Sequence, residues 1–206
     1  MDNTNQAQEG STAQRIFEAA REEFTQKGMD GAKMQDIADR AGINKALLHY
    51  YYRSKEKLFE AVAKVVISKA LPNIRQILES DLSLHDKISH FVEVYTDVVR
   101  RNPFVPVFII SEINKHPEQF LARILPAELP QPQAFFQQVE QAVERGEIRP
   151  VDPRHLVMNI VSMCVFPVIA KPMMRILLGM SAQEANEELN RRPEIIKTFI
   201  FNALRP

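Results

Sequence analysis

Scarcity shapes the first reading of this chain. Its 206 residues include one cysteine, six glycines and no tryptophan. A lone thiol cannot close an internal disulfide or supply a multi-thiolate zinc site, so a stapled secreted scaffold, a zinc finger and a CxxC redox centre are excluded. A reducing cytoplasm is the expected setting. Charge of one sign is also missing: 26 Lys and Arg stand against 26 Asp and Glu, a formal net charge of 0. Nothing therefore pulls the whole chain toward nucleic acid or anionic lipid, and any such function must rest on local charge. Long apolar runs are lacking too. The most apolar stretch, Leu156 to Ala170, is interrupted by Asn159, Ser162 and Pro167 and falls short of the roughly 20 residues a membrane span needs. The opening MDNTNQAQEGSTAQR has no apolar h-region, so residues 1–12 are expected to be a disordered lead and not a signal peptide.

Catalytic signatures are missing as well. No Walker or dinucleotide-binding glycine loop, nucleophile elbow or HExxH pair occurs, and the five histidines fall at no metal-binding spacing. No enzyme, metal or cofactor is expected. His85, His90, His116 and His155 are read as surface or structural groups. Cys164, among Met163, Val165 and Phe166, is read as a buried, inert thiol.

Helical periodicity runs throughout, with no alternating runs bounded by hairpin turns, and predicts an all-α protein. Ala13, Ile16, Phe17, Ala20 and Phe24 line a first helix ending at Gly28. A second helix is expected over residues 34–40, ended by Gly42. Asn44 caps a third over 45–51, and Ser54 caps a fourth that Pro72 should kink or end. Ser83 opens a long amphipathic helix closed by Asn102-Pro103. Helices follow at about 104–114, 117–125 and 132–145, the last stopped by Gly146. Asp152 with Pro153 starts an apolar helix kinked at Pro167, Ser181 and Glu184 form a capping box, and residues 193–204 make the final helix.

Within this series, residues 35–52, QDIADRAGINKALLHYYY, have the spacing of a helix-turn-helix. Ala38 is the small residue that lets the second helix cross closely, Gly42 can take the positive φ of the turn, and Leu48 faces inward with Ile37. Lys45, Ala46, Leu47, His49 and Tyr50 point elsewhere, leaving a face free to enter a major groove. From residue 40 to 57, Arg40, Lys45, Arg53, Lys55 and Lys57 stand against Glu56 alone, and such an island suits phosphates. His49, Tyr50 and Tyr51 interleave with it as donors to phosphate and as flat surfaces for sugar or thymine methyls.

Gly28-Met29, Ile37-Ala38, Ala41-Gly42-Ile43-Asn44-Lys45, Leu48, Tyr51-Tyr52, Ser54-Lys55 and Leu58-Phe59 closely resemble the DNA-binding domain of the TetR family of bacterial transcriptional regulators. The resemblance covers about residues 13–62. It implies a three-helix DNA-reading head at residues 13–56 and a helical ligand-binding and dimerisation domain at 57–206. By position it places Lys45, Ala46, Leu47 and Tyr50 at the groove, and His49, Tyr51 and Lys55 on phosphates. Two residues depart from the family pattern. Ala32-Lys33 stands where the second helix usually begins with Thr or Ser, so a cap worth about 1 kcal/mol is missing and Lys33 offers phosphate a charge in place of a hydroxyl. His49 stands where Tyr is usual. With Lys45 the one long donor at the groove, base reading is expected to combine a Lys contact to guanine with thymine-methyl packing.

The C-terminal two-thirds has no specific resemblance of its own. Phe91, Tyr95, Phe104, Phe108, Phe120, Phe135, Met158, Cys164 and Phe166 suggest an apolar interior with Tyr95 and Glu112 among its few polar groups. Phe91, Tyr95 and Phe108 are the candidate ligand contacts. The helix from Pro153 to Ala170 and the last helix, with Ile195, Ile196, Phe199, Ile200 and Leu204, carry more apolar surface than one core stripe needs, which suggests a four-helix homodimer interface. The expected function is a ligand-responsive regulator, most simply a repressor that binds a palindromic double-stranded operator as a homodimer and is released by a small, largely apolar effector. The alternative is a helical small-molecule-binding or partner-binding protein without specific DNA binding.

Overall fold

The structure, a computed structural model, describes residues 2–115, 118 and 132–206, with side chains from residue 11 onward except Lys115. Ten helices are assigned among the described residues: α1 Asp2–Gly31, α2 Met34–Arg40, α3 Lys45–Tyr51, α4 Lys55–Glu79, α5 Leu84–Arg101, α6 Phe104–Lys115, α7 Gln133–Glu144, α8 Pro153–Ile169, α9 Lys171–Leu177 and α10 Ala182–Leu204. The all-α class is as expected. Apart from residue 118, the helix foreseen over 117–125 lies outside the described residues, as do His116 and Phe120.

The chain divides into two compact units at Ile67/Ser68, eleven residues beyond the expected boundary at 56. The first turns of α4 explain the difference, because Leu58, Phe59, Val62 and Ala63 are all buried. The Phe59 ring meets Phe24 of α1 edge-on, with centroids 4.7 Å apart. A unit stopping at residue 56 would strip Phe24 of this partner.

In the N-terminal unit, helix begins at Asp2 where a disordered lead is expected. Gly28 interrupts α1 at φ 65° and ψ −177°, a region open essentially to glycine alone and not the left-handed cap conformation that its position implies. Ile16, Ala20, Phe24, Ile37, Ala38 and Leu48 have no exposed surface. Burying side chains of this size contributes about 1.5–3 kcal/mol for each large one.

Three of the expected breaks differ. Pro72 lies inside α4 and does not end it. A proline removes one hydrogen bond from the ladder, and burial of Ile67, Ala70 and Ile74 on either side offsets that loss. Similarly, α8 continues through Pro167, and the chain bends by 78° at the Ala170 break before α9. Pro193 is interior to α10, which is one helix from its Ser181–Glu184 capping box to Leu204. Among the described residues, no single helix is long and apolar enough to cross a membrane.

The C-terminal unit is built on α5, α8 and α10 packed on one another, with α7 against α5 and α8. Ile88 and Val92 of α5, Phe135 and Val139 of α7, Leu156, Ile160 and Cys164 of α8, and Ile196, Ile200 and Leu204 of α10 form its main core. Met158 and Phe166, expected in this interior, are about half exposed at 53% and 49%. They lie on the outer stripe of α8, because the inward positions are taken by Leu156, Ile160 and Cys164 at four-residue spacing.

Candidate functional site

The turn between α2 and α3 is a complete helix-ending motif. Gly42 N–H donates to Asp39 O at 3.1 Å and Ile43 N–H to Ala38 O at 3.0 Å, with Gly42 at φ 64°. These bonds satisfy carbonyls that a helix end leaves open. Asn44 then starts α3, its Oδ1 accepting from Leu47 N–H at 2.7 Å. Lys33, at the cap position of α2, has an extended backbone and makes no side-chain cap bond. The absence of a Thr or Ser cap is therefore real in the fold.

Salt bridges hold α2 against α1. Arg40 reaches Glu22 at 2.7 Å and the fully buried Glu23 at 3.4 Å. Lys27 pairs with Glu23 from within α1 and with Asp36 at 2.8 Å. Arg40 thus belongs to this brace and leaves the basic island. Lys55, assigned to phosphate by resemblance, donates its Nζ to the carbonyls of Asp30 at 3.2 Å and Ala32 at 3.1 Å. These bonds brace the extended link before α2 and use two of the three N–H donors of the ammonium.

What is left exposed is selective. On α3, Lys45, Ala46, His49 and Tyr50 are exposed, Leu47 and Tyr51 are half-buried, and Leu48 is fully buried. The exposed four occupy an arc of about 140° at 3.6 residues per turn. Leu47 and Leu48 flank that arc on its two sides, each about 60° from its edge, and Tyr51 lies across the helix from it. Tyr50 is 82% exposed, and its ring meets Tyr51 edge-on at 5.7 Å. A large aromatic so placed is an informative exposure, since it forgoes burial within its own chain. Lys45, Arg53 and Lys57 are exposed and have no ion-pair partner among the described residues. Lys33 is exposed as well, and its charge helps hold the Asp36 carboxyl below the ordinary range, after the hydrogen bond from Lys27.

Residues 16–62 match the family model described as "Bacterial regulatory proteins, tetR family", and residues 85–199 match "Tetracyclin repressor-like, C-terminal domain". The chain belongs to the TetR family. It is a DNA-binding regulator and not an enzyme. It is 24% identical over 194 residues to the HTH-type transcriptional regulator RutR of Escherichia coli strain K12, covering 93% of this chain and 89% of RutR. It is 28% identical over 176 residues to the HTH-type transcriptional repressor SCO4008 of Streptomyces coelicolor, covering 82% and 84%. Its fold is similar to the crystal structure of the TetR family transcriptional regulator PfmR from Thermus thermophilus, with a TM-score of 0.63, 21% identity, and coverage of 93% and 94%.

Among the spaces that the described residues of the C-terminal unit of this TetR-family chain enclose, two differ in character. An open groove of about 620 Å³ runs between α8 and α10, lined by residues including Asn159, Ser162, Met163, Arg192, Ile195 and Phe199. The second is a small apolar cavity of about 60 Å³ under α5, bordered by Phe91, Phe135, Val157 and Ile160. Of the candidate ligand contacts, only Phe91 lines this cavity. Tyr95 stacks on Phe91 at 5.3 Å and packs on the core, where burial pushes its hydroxyl pKa up to about 12. Phe108 is buried on α6. Sequence reasoning passed over several of the lining residues, Leu78, Pro132, Val157 and Ile160 among them, and the unexpected one is Lys87. A lysine beside Ile88 on an amphipathic helix reads as solvated, and nothing local reveals its burial.

His85, His90 and His155 are exposed, with His85 stacked on Phe201 at 4.0 Å. Cys164 is fully buried. Burial pushes its thiol pKa up, against smaller opposing effects of Thr96 and Arg192.

Proposed function

We propose that the protein is a ligand-responsive repressor that binds a palindromic operator as a homodimer. The observation that carries this reading is the exposed face of α3, where Lys45, Ala46, His49 and Tyr50 stand together on a helix locked by buried Leu48 and by the Asn44 cap. A rigid helix with one polar and aromatic face suits insertion into a major groove, the second helix of the motif reading base edges. Lys45 supplies a donor to guanine and Ala46 an apolar contact for a thymine methyl. Leu47 borders the groove-facing arc. His49, Tyr51, Lys33, Arg53 and Lys57 supply contacts to phosphate. Lys55 serves chiefly by holding the segment before α2, with its remaining N–H free to add a phosphate contact.

Dimerisation fits the outward stripe of α8 and α10. Met158, Phe166, Ile195 and Phe199 are exposed, whereas Ile196, Ile200 and Leu204 face the core of their own chain. Two such helix pairs form a four-helix interface across a two-fold axis, and that axis matches a palindrome with half-sites one helical turn apart. Repression follows most simply from occupancy of a promoter, and SCO4008, alike over most of both chains, is named a repressor. An effector bound in the C-terminal unit acts by preferring a conformation that does not fit both half-sites.

The deciding experiment is binding of the purified protein to DNA from around its own gene, with a random fragment as control, at two salt concentrations. The expected result is preference for the cognate fragment, with both affinities falling as salt rises. Equal binding to both fragments at each salt concentration would refute specific operator recognition at that locus.

A further inference from the structure

His49 is exposed on α3. At 3.6 residues per turn it stands about 40° around the helix from Lys45 and about 60° from Ala46, inside the exposed arc and one turn on from Lys45. A duplex lying on that face therefore meets the imidazole. His49 is also the one histidine among residues 1–67, because His85, His90, His116 and His155 all belong to the second unit. Histidine is the side chain whose charge ordinarily changes between pH 5 and 8.

The charged groups of the surrounding elements are of other kinds. Lys45 precedes His49 by one turn, and Arg53 follows it by four residues. α3 packs on α2, where Asp36 is held by Lys27 of α1 at 2.8 Å, Arg40 by Glu22 of α1 at 2.7 Å, and Asp39 accepts from Gln35 at 2.7 Å. At the start of α4, Lys55 donates to backbone carbonyls, and hydrogen bonds from its own backbone and from Ser54 hold the Glu56 carboxyl down. Carboxyl, ammonium, guanidinium and phenol groups titrate well outside the imidazole range.

We propose that His49 makes DNA binding by this protein sensitive to pH, its protonated ring meeting a phosphate as an added cation and its neutral ring as a weaker donor. The inference rests on the reading of α3 as the DNA-facing helix and adds the proton as a second input to it. A hydrogen bond to a charged group exceeds one between neutral groups by enough to change affinity about fivefold. A further cation on a phosphate also releases counterions, steepening the fall of log K with log salt by about 0.9. A phenol in the same place would donate a hydrogen bond without gaining charge.

The test is fluorescence anisotropy of the full-length protein with DNA from around its own gene and with a random duplex of equal length. Each is titrated at about pH 6 and about pH 8, on either side of the ordinary imidazole value, over a series of salt concentrations. At the lower pH both duplexes should bind at least about fivefold tighter, with a salt slope steeper by about 0.9 per subunit. His49→Gln and His49→Tyr, two variants at an exposed position whose fold circular dichroism checks, should each abolish both differences. Equal affinity and slope at the two pH values, or differences that survive in either variant, would overturn the proposal. An effect confined to the cognate fragment would overturn it too, by placing His49 on a base edge. The paired fragments separate this proposal from the regulator reading. Binding without preference for the cognate fragment, yet steeper in salt at the lower pH, keeps the role of His49 and removes the operator at that locus. Cognate preference that is indifferent to pH keeps the regulator and removes the role of His49.

Discussion

Glu23 has no exposed surface, and it is flanked by Lys27 and Arg40. Burial of a carboxylate is tolerated where two cations meet it, and that is how α1 and α2 come to share a polar seam. At the edge of the seam, the Lys27 hydrogen bond holds the Asp36 carboxyl below its ordinary value of 3.8. A carboxylate with a depressed folded pKa stabilises the fold fully above its unfolded pKa, and that contribution disappears as pH falls through the folded value. Thermal unfolding followed against pH should therefore show acid sensitivity setting in below about pH 4, and Asp36→Asn should flatten it. Lys45 lies on the open side of the same unit. If it reads a base, Lys45→Ala will cost operator binding about 1–3 kcal/mol while random DNA loses much less. Fluorescence anisotropy on the two fragments checks this, and equal losses would reduce Lys45 to a phosphate contact.

Among the elements, α2 and α3 are both seven residues long and are started differently. Asn44 caps α3 by a side-chain bond, whereas Lys33 leaves α2 uncapped. Lys33 already has the extended backbone of a cap residue, φ −117° and ψ 135°, so a hydroxyl there needs no rearrangement. Lys33→Ser should stabilise the N-terminal unit by about 0.5–2 kcal/mol, read as a rise in denaturation midpoint. The same change should lower affinity for all DNA and reduce its salt dependence, because one phosphate-directed charge is gone. Stability and affinity moving in opposite directions would identify Lys33 as a position where the fold gives up a cap for a cation. The boundaries of these short helices were legible in the sequence because glycine and asparagine act locally. Gly42 and Asn44 place the turn whatever surrounds them. The passage of α4 through Pro72 and of α10 through Pro193 was not legible, because it depends on burial of residues on both sides of the proline.

For the whole molecule, the outward stripe of α8 and α10 is the feature that a single chain does not satisfy. Phe199 is 65% exposed and sits beside the groove those helices form. Phe199→Glu should disrupt a dimer built on this face and leave the monomer core intact, since Ile196 and Ile200 point inward. Sedimentation should then shift from twice 23.6 kDa to 23.6 kDa, with operator affinity falling as the two half-sites are no longer bound together. An unchanged dimer would place the interface elsewhere. Local signals in the chain sufficed for the all-α class, the helix-turn-helix, its cap and turn residues, and the family resemblance, because each depends on residues a few positions apart. Tertiary packing alone decided which cations remain free. It drew Arg40 to Glu22 and Glu23, Lys55 to the carbonyls of Asp30 and Ala32, and Lys87 into an apolar interior. It also turned Met158 and Phe166 outward and Ile196 and Leu204 inward. The partner of a long side chain, and the face a helix hides, are set by neighbours remote in sequence, and no local pattern encodes them.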